Sequence, residues 1–169
     1  MGRSRRQPGW TVAAGALIVL AVVAVALWAG RGQAGPPDGD AASPCGAHPF
    51  EHVYHASRLK VLAKCRTITG TIDFIRREPD GDLHIRLHVD DAALLDQKNI
   101  DEQHGDLVIE PVCVHEVTQE DAKDACRGYQ SDIAVPAVGT RVSVTGPWVL
   151  DKPHGWNEIH PIVQMAVLP

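Results

Sequence analysis

The twenty residues from Trp10 to Ala29, WTVAAGALIVLAVVAVALWA, contain no charge, and they constrain this chain more than any other feature. As a helix rising about 1.5 Å per residue they match the roughly 30 Å hydrocarbon core of a bilayer, with Trp10 and Trp28 at the depths of the interfacial aromatic belts. A spanning helix is expected. Arg3, Arg5 and Arg6 precede the run and Arg31 alone follows it closely, so the positive-inside bias keeps residues 1–9 cytoplasmic and exports everything later. The alternative is a cleaved secretory signal, whose apolar region runs about 7 to 15 residues and ends at a small-x-small site. This run is longer, and Gly32-Gln33-Ala34 is a poor cleavage site, which favours an anchor at 10–29. Either reading places the remainder beyond the cytoplasmic membrane.

Residues 30–44 are Gly, Pro, Ala and Asp with no large apolar side chain, and they read as a flexible linker. Residues 45–169 then suffice for one domain with a real core. All 21 acidic residues but only 12 of the 16 basic ones lie beyond Arg31, so the exported part carries a net −9 by count. Phosphate contact dominates nucleic-acid affinity, and no basic cluster offsets this balance, so a nucleic-acid partner is not expected.

Cys45, Cys65, Cys113 and Cys126 all fall beyond the anchor, an even number in an oxidising compartment. Two disulfides are the default, with three connectivities open. Short loop closure favours Cys45 with Cys65 and Cys113 with Cys126. A Zn2+ site made of the four thiols is disfavoured because no C-x-x-C pair is present.

From Val61 onward the pattern is short β-rich runs between turn residues. Strand one is expected from Leu62 to Arg76, with Ile68, Ile72 and Phe74 on its core face and a bend at Gly70. Pro79-Asp80-Gly81-Asp82 turns into strand two, Leu83 to Val89, with Leu83, Ile85, Leu87 and Val89 inward and Asp82, His84, Arg86 and His88 outward. Residues 91–105 are a polar excursion with a helical turn at Ala92 to Leu95, and strand three follows from Asp106 to Val114. Thr118 to Gly128 has helical spacing, an N-terminal cap and a terminal glycine, which predicts a short helix. Strand four is expected from Thr140 to Leu150 and strand five from Trp156 to Val167. Ile159, Pro161, Val163, Met165 and Val167 would face the core, with Glu158 and His160 paired outward. This order predicts an all-β fold: a five-stranded OB-fold-like Greek-key barrel with one short helix between strands three and four, preceded by one transmembrane helix.

In such a barrel the loops 78–84 and 151–160 share a rim, bringing Asp82 and His84 toward Asp151, His154, Trp156, Glu158 and His160. Pro153 and Gly155 are also ordinary hairpin chemistry, and Trp156 can simply cover the barrel end. No cofactor is expected by motif. Zn2+ is the ion that the rim would suit, with His84, His154 and His160 as ligands. His48, His52 and His55 precede the domain's strands, and Pro49 interrupts their helical spacing, so they read as a solvated lead-in.

The run VSVTGPWVLDKPHGWNEIHPI (142–162), with RLKVLAKCRTITGTI, DGDLHIRL and GDLVIEPVC, resembles a group of bacterial exported proteins marked by V-L-D-x-x-H-G-W-x-E-I-H-P. The resemblance covers most of residues 54–169 and implies a shared exported barrel-like domain, but no reaction. The functional expectation is a membrane-anchored extracytoplasmic binding module whose rim meets an envelope protein, an envelope polymer or a small molecule. The alternative is a metal-assisted hydrolase on the same rim, with Glu158 as general base.

Overall fold

One 19-residue strand, β1 (Leu59–Arg77), organises the domain. Its first half pairs antiparallel with β4 (Arg141–Asp151) and its second half with β2 (Leu83–Val89), the two registers overlapping at Gly70 and Thr71. A strand serving two neighbours must bend, and Gly70 is where it does: a Cβ there would lie 2.5 Å from the His88 carbonyl oxygen. β2 pairs with β3 (Leu107–Ile109), β3 runs parallel to β5 (Asn157–Ile159), and β5 pairs with β4, which returns to β1. The result is a barrel-like ring of five strands, not a clean barrel, because β3 and β5 contribute only three residues each. β6 (Gln164–Val167) pairs with β4 at Val142–Thr145.

The computed structural model describes residues 43–169. The expected anchor at 10–29, the N-terminus at 1–9 and nearly all of the 30–44 linker lie outside the described residues. Among the described residues no helix is long and apolar enough to cross a membrane.

The ring encloses an apolar core in which Ile72, Ile85, Leu87, Leu107, Ile109, Val142, Val144 and Ile159 are essentially inaccessible. Alternation supplies it: every second residue of β2 points inward, as expected. Phe74 departs from the expected core face. A register shift between Ile72 and Phe74 turns its ring outward, where the Arg86 guanidinium stacks 4.8 Å from the ring centroid.

Three further expectations are corrected. The one α-helix among the described residues, α1 (Gln97–Glu102), lies between β2 and β3 rather than between β3 and β4. Asp96 and Asn99 form a reciprocal capping box, and the buried Asn99 side chain donates to the carbonyls of Asp106 and Asn157, tying the helix to β5. Thr118 to Gly128 forms only a single 3-10 turn at Glu120–Ala122. The Thr118 and Gln119 amides donate to Pro79 O instead of starting a helix, and Cys126 is drawn to Cys113 by a disulfide. The expected fifth strand is two. Pro161 has no N–H for the ladder, so β5 and β6 are separate pieces.

Both disulfides form as short-range closure suggested, Cys45–Cys65 and Cys113–Cys126, with Cα separations of 5.7 and 5.5 Å. The lead-in is not merely solvated. Val53 packs with Val112 and Cys113 in a second small core, and His52 stacks 3.9 Å from Tyr129 while donating to Ala125 O.

Gly146 sits where the chain after β5 crosses β4. A Cβ there would press into the Pro161 carbonyl oxygen and stand 2.5 Å from Ile159 Cγ2. Gly146→Ala is therefore expected to destabilise the domain by about 1–3 kcal/mol, the usual cost of overpacking against backbone. A urea midpoint equal to wild type would show that the crossing can relax.

Candidate functional site

Strand parity directs one set of side chains away from the apolar core, and in this protein that side is covered. His84 alternates with Leu83 and Ile85 on β2, Glu110 follows Ile109 at the end of β3, and Glu158 and His160 flank Ile159. All four are buried, Glu158 and His160 to 1% and 0% exposure. The expectation that His84, Glu158 and His160 face solvent is thus corrected: they point out of the barrel but not into water. The lead-in forms part of the cover, since Arg58 donates from Nε to Asp151 Oδ2 at 3.1 Å and stands 4.0 Å from Glu110 Oε2.

Glu110 is the centre of this layer. His84 Nδ1 donates to its Oε1 at 3.0 Å, and His160 Nδ1 lies 2.9 Å from its Oε2. His160 Nδ1 also donates to Glu158 Oε2 at 2.9 Å, and Glu158 Oε1 accepts the Trp156 indole N–H at 2.8 Å. His84 Nε2 meets the side-chain amide oxygen Oε1 of Gln103 at 3.0 Å, so both of its ring nitrogens face acceptors, the arrangement that suits an imidazolium.

The charge states follow. Burial alone would lower the His160 pKa, but the Glu110 and Glu158 carboxylates raise it to about 10. Burial would raise Glu110, yet the His160 charge and the bonds from both imidazoles hold it well below the usual carboxylate range. His84 is likewise pulled down by burial and carried up further by Glu110. Glu158 is pushed up, first by burial and then by the neighbouring Glu110 charge. Asp82 is pushed up to about 7 by burial and by Asp80, although its Oδ1 accepts the Cys113 N–H at 2.7 Å.

This layer opens on a polar cavity of about 200 Å3. Its walls include Arg58, His84, Glu110, Asp151, His154 and Trp156, with Glu78 and Asp80 at one side. His154 is exposed, stacks 4.4 Å from the Trp156 ring, and donates from Nδ1 to Asp151 Oδ2 at 2.9 Å. Two buried polar atoms here have no hydrogen-bond partner, Asp151 Oδ1 and His160 Nε2.

Four expected binding residues, His84, Asp151, His154 and Trp156, therefore share one cavity, while Glu158 and His160 form the layer behind it and Asp82 is buried beside Glu110 and His160. The expected metal trio of His84, His154 and His160 does not converge: His84 and His160 approach opposite oxygens of Glu110, and His154 turns to Asp151. The two oxygens of Glu158, the expected general base, each already accept one hydrogen bond, from Trp156 and from His160. Groups that bring three ligand atoms within 4.8 Å among the described residues are Asp82–Glu110–His160, Asp151–His154–Glu158 and Asp82–Cys113–Cys126, the last spent as a disulfide.

Glu110, Arg58 and Gln103 were not anticipated. Glu110 left one signal, a carboxylate closing the apolar run Leu107–Ile109 just before Pro111. Arg58 left none, because its role depends on the lead-in folding back over β4. The chain matches no protein-family model and no curated protein.

Proposed function

We propose that this chain is a membrane-anchored, extracytoplasmic binding module of OB-like architecture whose polar cavity captures a small molecule bearing hydroxyl and amine groups, free or as the end unit of an envelope polymer. The cavity carries the reading. His84, Glu110 and Asp151 in its walls are buried and, like the half-buried Arg58, already paired, so much of the ordering cost of a polar site is met before a ligand arrives. Carboxylates and a guanidinium offer acceptors and donors, and Trp156 offers a flat apolar wall. The five-strand ring around one long bent strand supports the OB-like assignment, and the uncharged run at 10–29 with its flanking arginines supports the anchor. An acidic exported part supports a neutral or cationic ligand over a polyanion.

The test is calorimetric titration with a panel of amino sugars. Arg58→Ala and Trp156→Ala are each expected to weaken the best binder about 10- to 100-fold, the span of one lost charged hydrogen bond or a lost aromatic contact. Affinity unchanged in both variants would move the ligand elsewhere on the molecule.

A further inference from the structure

We propose that Asp151, His154 and Glu158 bind one divalent cation of the zinc class at the wall of the cavity. Each residue offers one ligand atom, and the three atoms lie within 4.8 Å of one another. The independent observation is at Asp151, which lines the cavity and is 0% exposed: its Oδ2 is held by Arg58 and His154, while its second oxygen, Oδ1, has no hydrogen-bond partner and leaves the carboxylate half satisfied. A buried carboxylate oxygen without a donor is costly, and a cation is the ligand that removes that cost.

The donor set selects the class of ion. One imidazole nitrogen with two carboxylates suits a borderline cation such as Zn2+, whereas magnesium and calcium prefer all-oxygen shells. Ligands about 2.0–2.2 Å from zinc stand roughly 3 Å or more apart, and His154 Nδ1 already lies 2.9 Å from Asp151 Oδ2. The proton now between those atoms must leave Nδ1. The bound tautomer carries its proton on Nε2, where the 53% exposed side chain can bond water.

The surroundings hold the ligands in place. The Trp156 indole N–H and the His160 Nδ1–H each bond Glu158, and the Trp156 ring stacks on His154 at 4.4 Å. Arg58, which bonds Asp151 Oδ2 at 3.1 Å, is the competing charge. Three protein ligands would leave the remaining coordination position open to the cavity. The cation site rests on these residues alone and not on the amino-sugar reading above.

The test uses the full-length protein in detergent, stripped with a chelator and titrated with ZnCl2 alone, then with CoCl2. One equivalent of zinc retained after dialysis, a raised Tm, and a visible cobalt absorption band are expected. His154→Ala changes an exposed side chain, so the fold should persist while zinc affinity falls more than about 100-fold, beyond the 10- to 100-fold typical of outer-shell changes. His88→Ala, exposed and remote from the cavity, should bind as wild type. Absence of stoichiometric metal and of a Tm shift in the wild type would overturn the proposal. Metal binding that survives His154→Ala, or that is lost in His88→Ala, would overturn it equally. Zinc failing while amino sugars bind would leave the ligand reading intact, and the reverse outcome would leave this one intact.

Discussion

Glu110→Ala is expected to lower the stability of the domain by about 3–5 kcal/mol, the range for breaking a buried ion pair by removing one partner. Glu110 is the shared counter-charge of two imidazoles, His84 at 3.0 Å and His160 at 2.9 Å, and His160 is wholly buried. Without the carboxylate, His160 keeps only Glu158 and His84 keeps only Gln103. Each imidazole must then either stay charged without its main partner or give up its proton in a site built for the cation. Arg58 loses its second carboxylate as well, although Asp151 still holds it. Glu110→Gln is expected to cost less, because the amide preserves volume and one acceptor. Urea unfolding followed by far-UV circular dichroism measures both. A loss below about 1 kcal/mol for Glu110→Ala would place Glu110 among ordinary surface carboxylates and remove the layer's organising charge.

Loss of either disulfide is expected to be nearly as damaging. The bridges span 20 and 13 residues, and loop closure of that length stabilises by about 3 kcal/mol each in the chain-entropy account. Their structural consequences differ. Cys45–Cys65 closes the segment that contains Val53 and Arg58, so paired serines there should loosen the cover over the cavity. Cys113–Cys126 holds the 118–122 turn against Pro79, and Cys113 donates its N–H to Asp82. Cys113–Cys126 belongs to the small core around Val53 and Val112, and Cys45–Cys65 closes the segment that carries Val53 into it, so the two losses should not be strictly additive. Unfolding with and without reductant gives the magnitudes. Thiol labelling of freshly isolated native protein should find no reactive sulfhydryl, and four reactive sulfhydryls would contradict the proposed extracytoplasmic placement.

Some of this was legible in the residues. β2 is where its alternation puts it, both cysteine pairs follow from short loop closure, and the run of β-rich segments predicts a barrel-like sheet. The helix was misplaced for a local reason. Asn99 caps α1 through an Asp-x-x-Asn box in a polar stretch without apolar periodicity, whereas 118–128 has the periodicity but loses its first amides to Pro79.

Within the candidate site, residue order alone determined the side of the strand on which Glu158 and His160 lie, because alternation is a property of the extended backbone itself. Only the tertiary structure decided what that side meets. The lead-in, pinned by Cys45–Cys65 and by Val53 against Val112, brings Arg58 over Glu110 and Asp151. A side chain excluded from one core can be enclosed by another segment of the chain, and contact between segments far apart in sequence leaves no periodic trace in either of them.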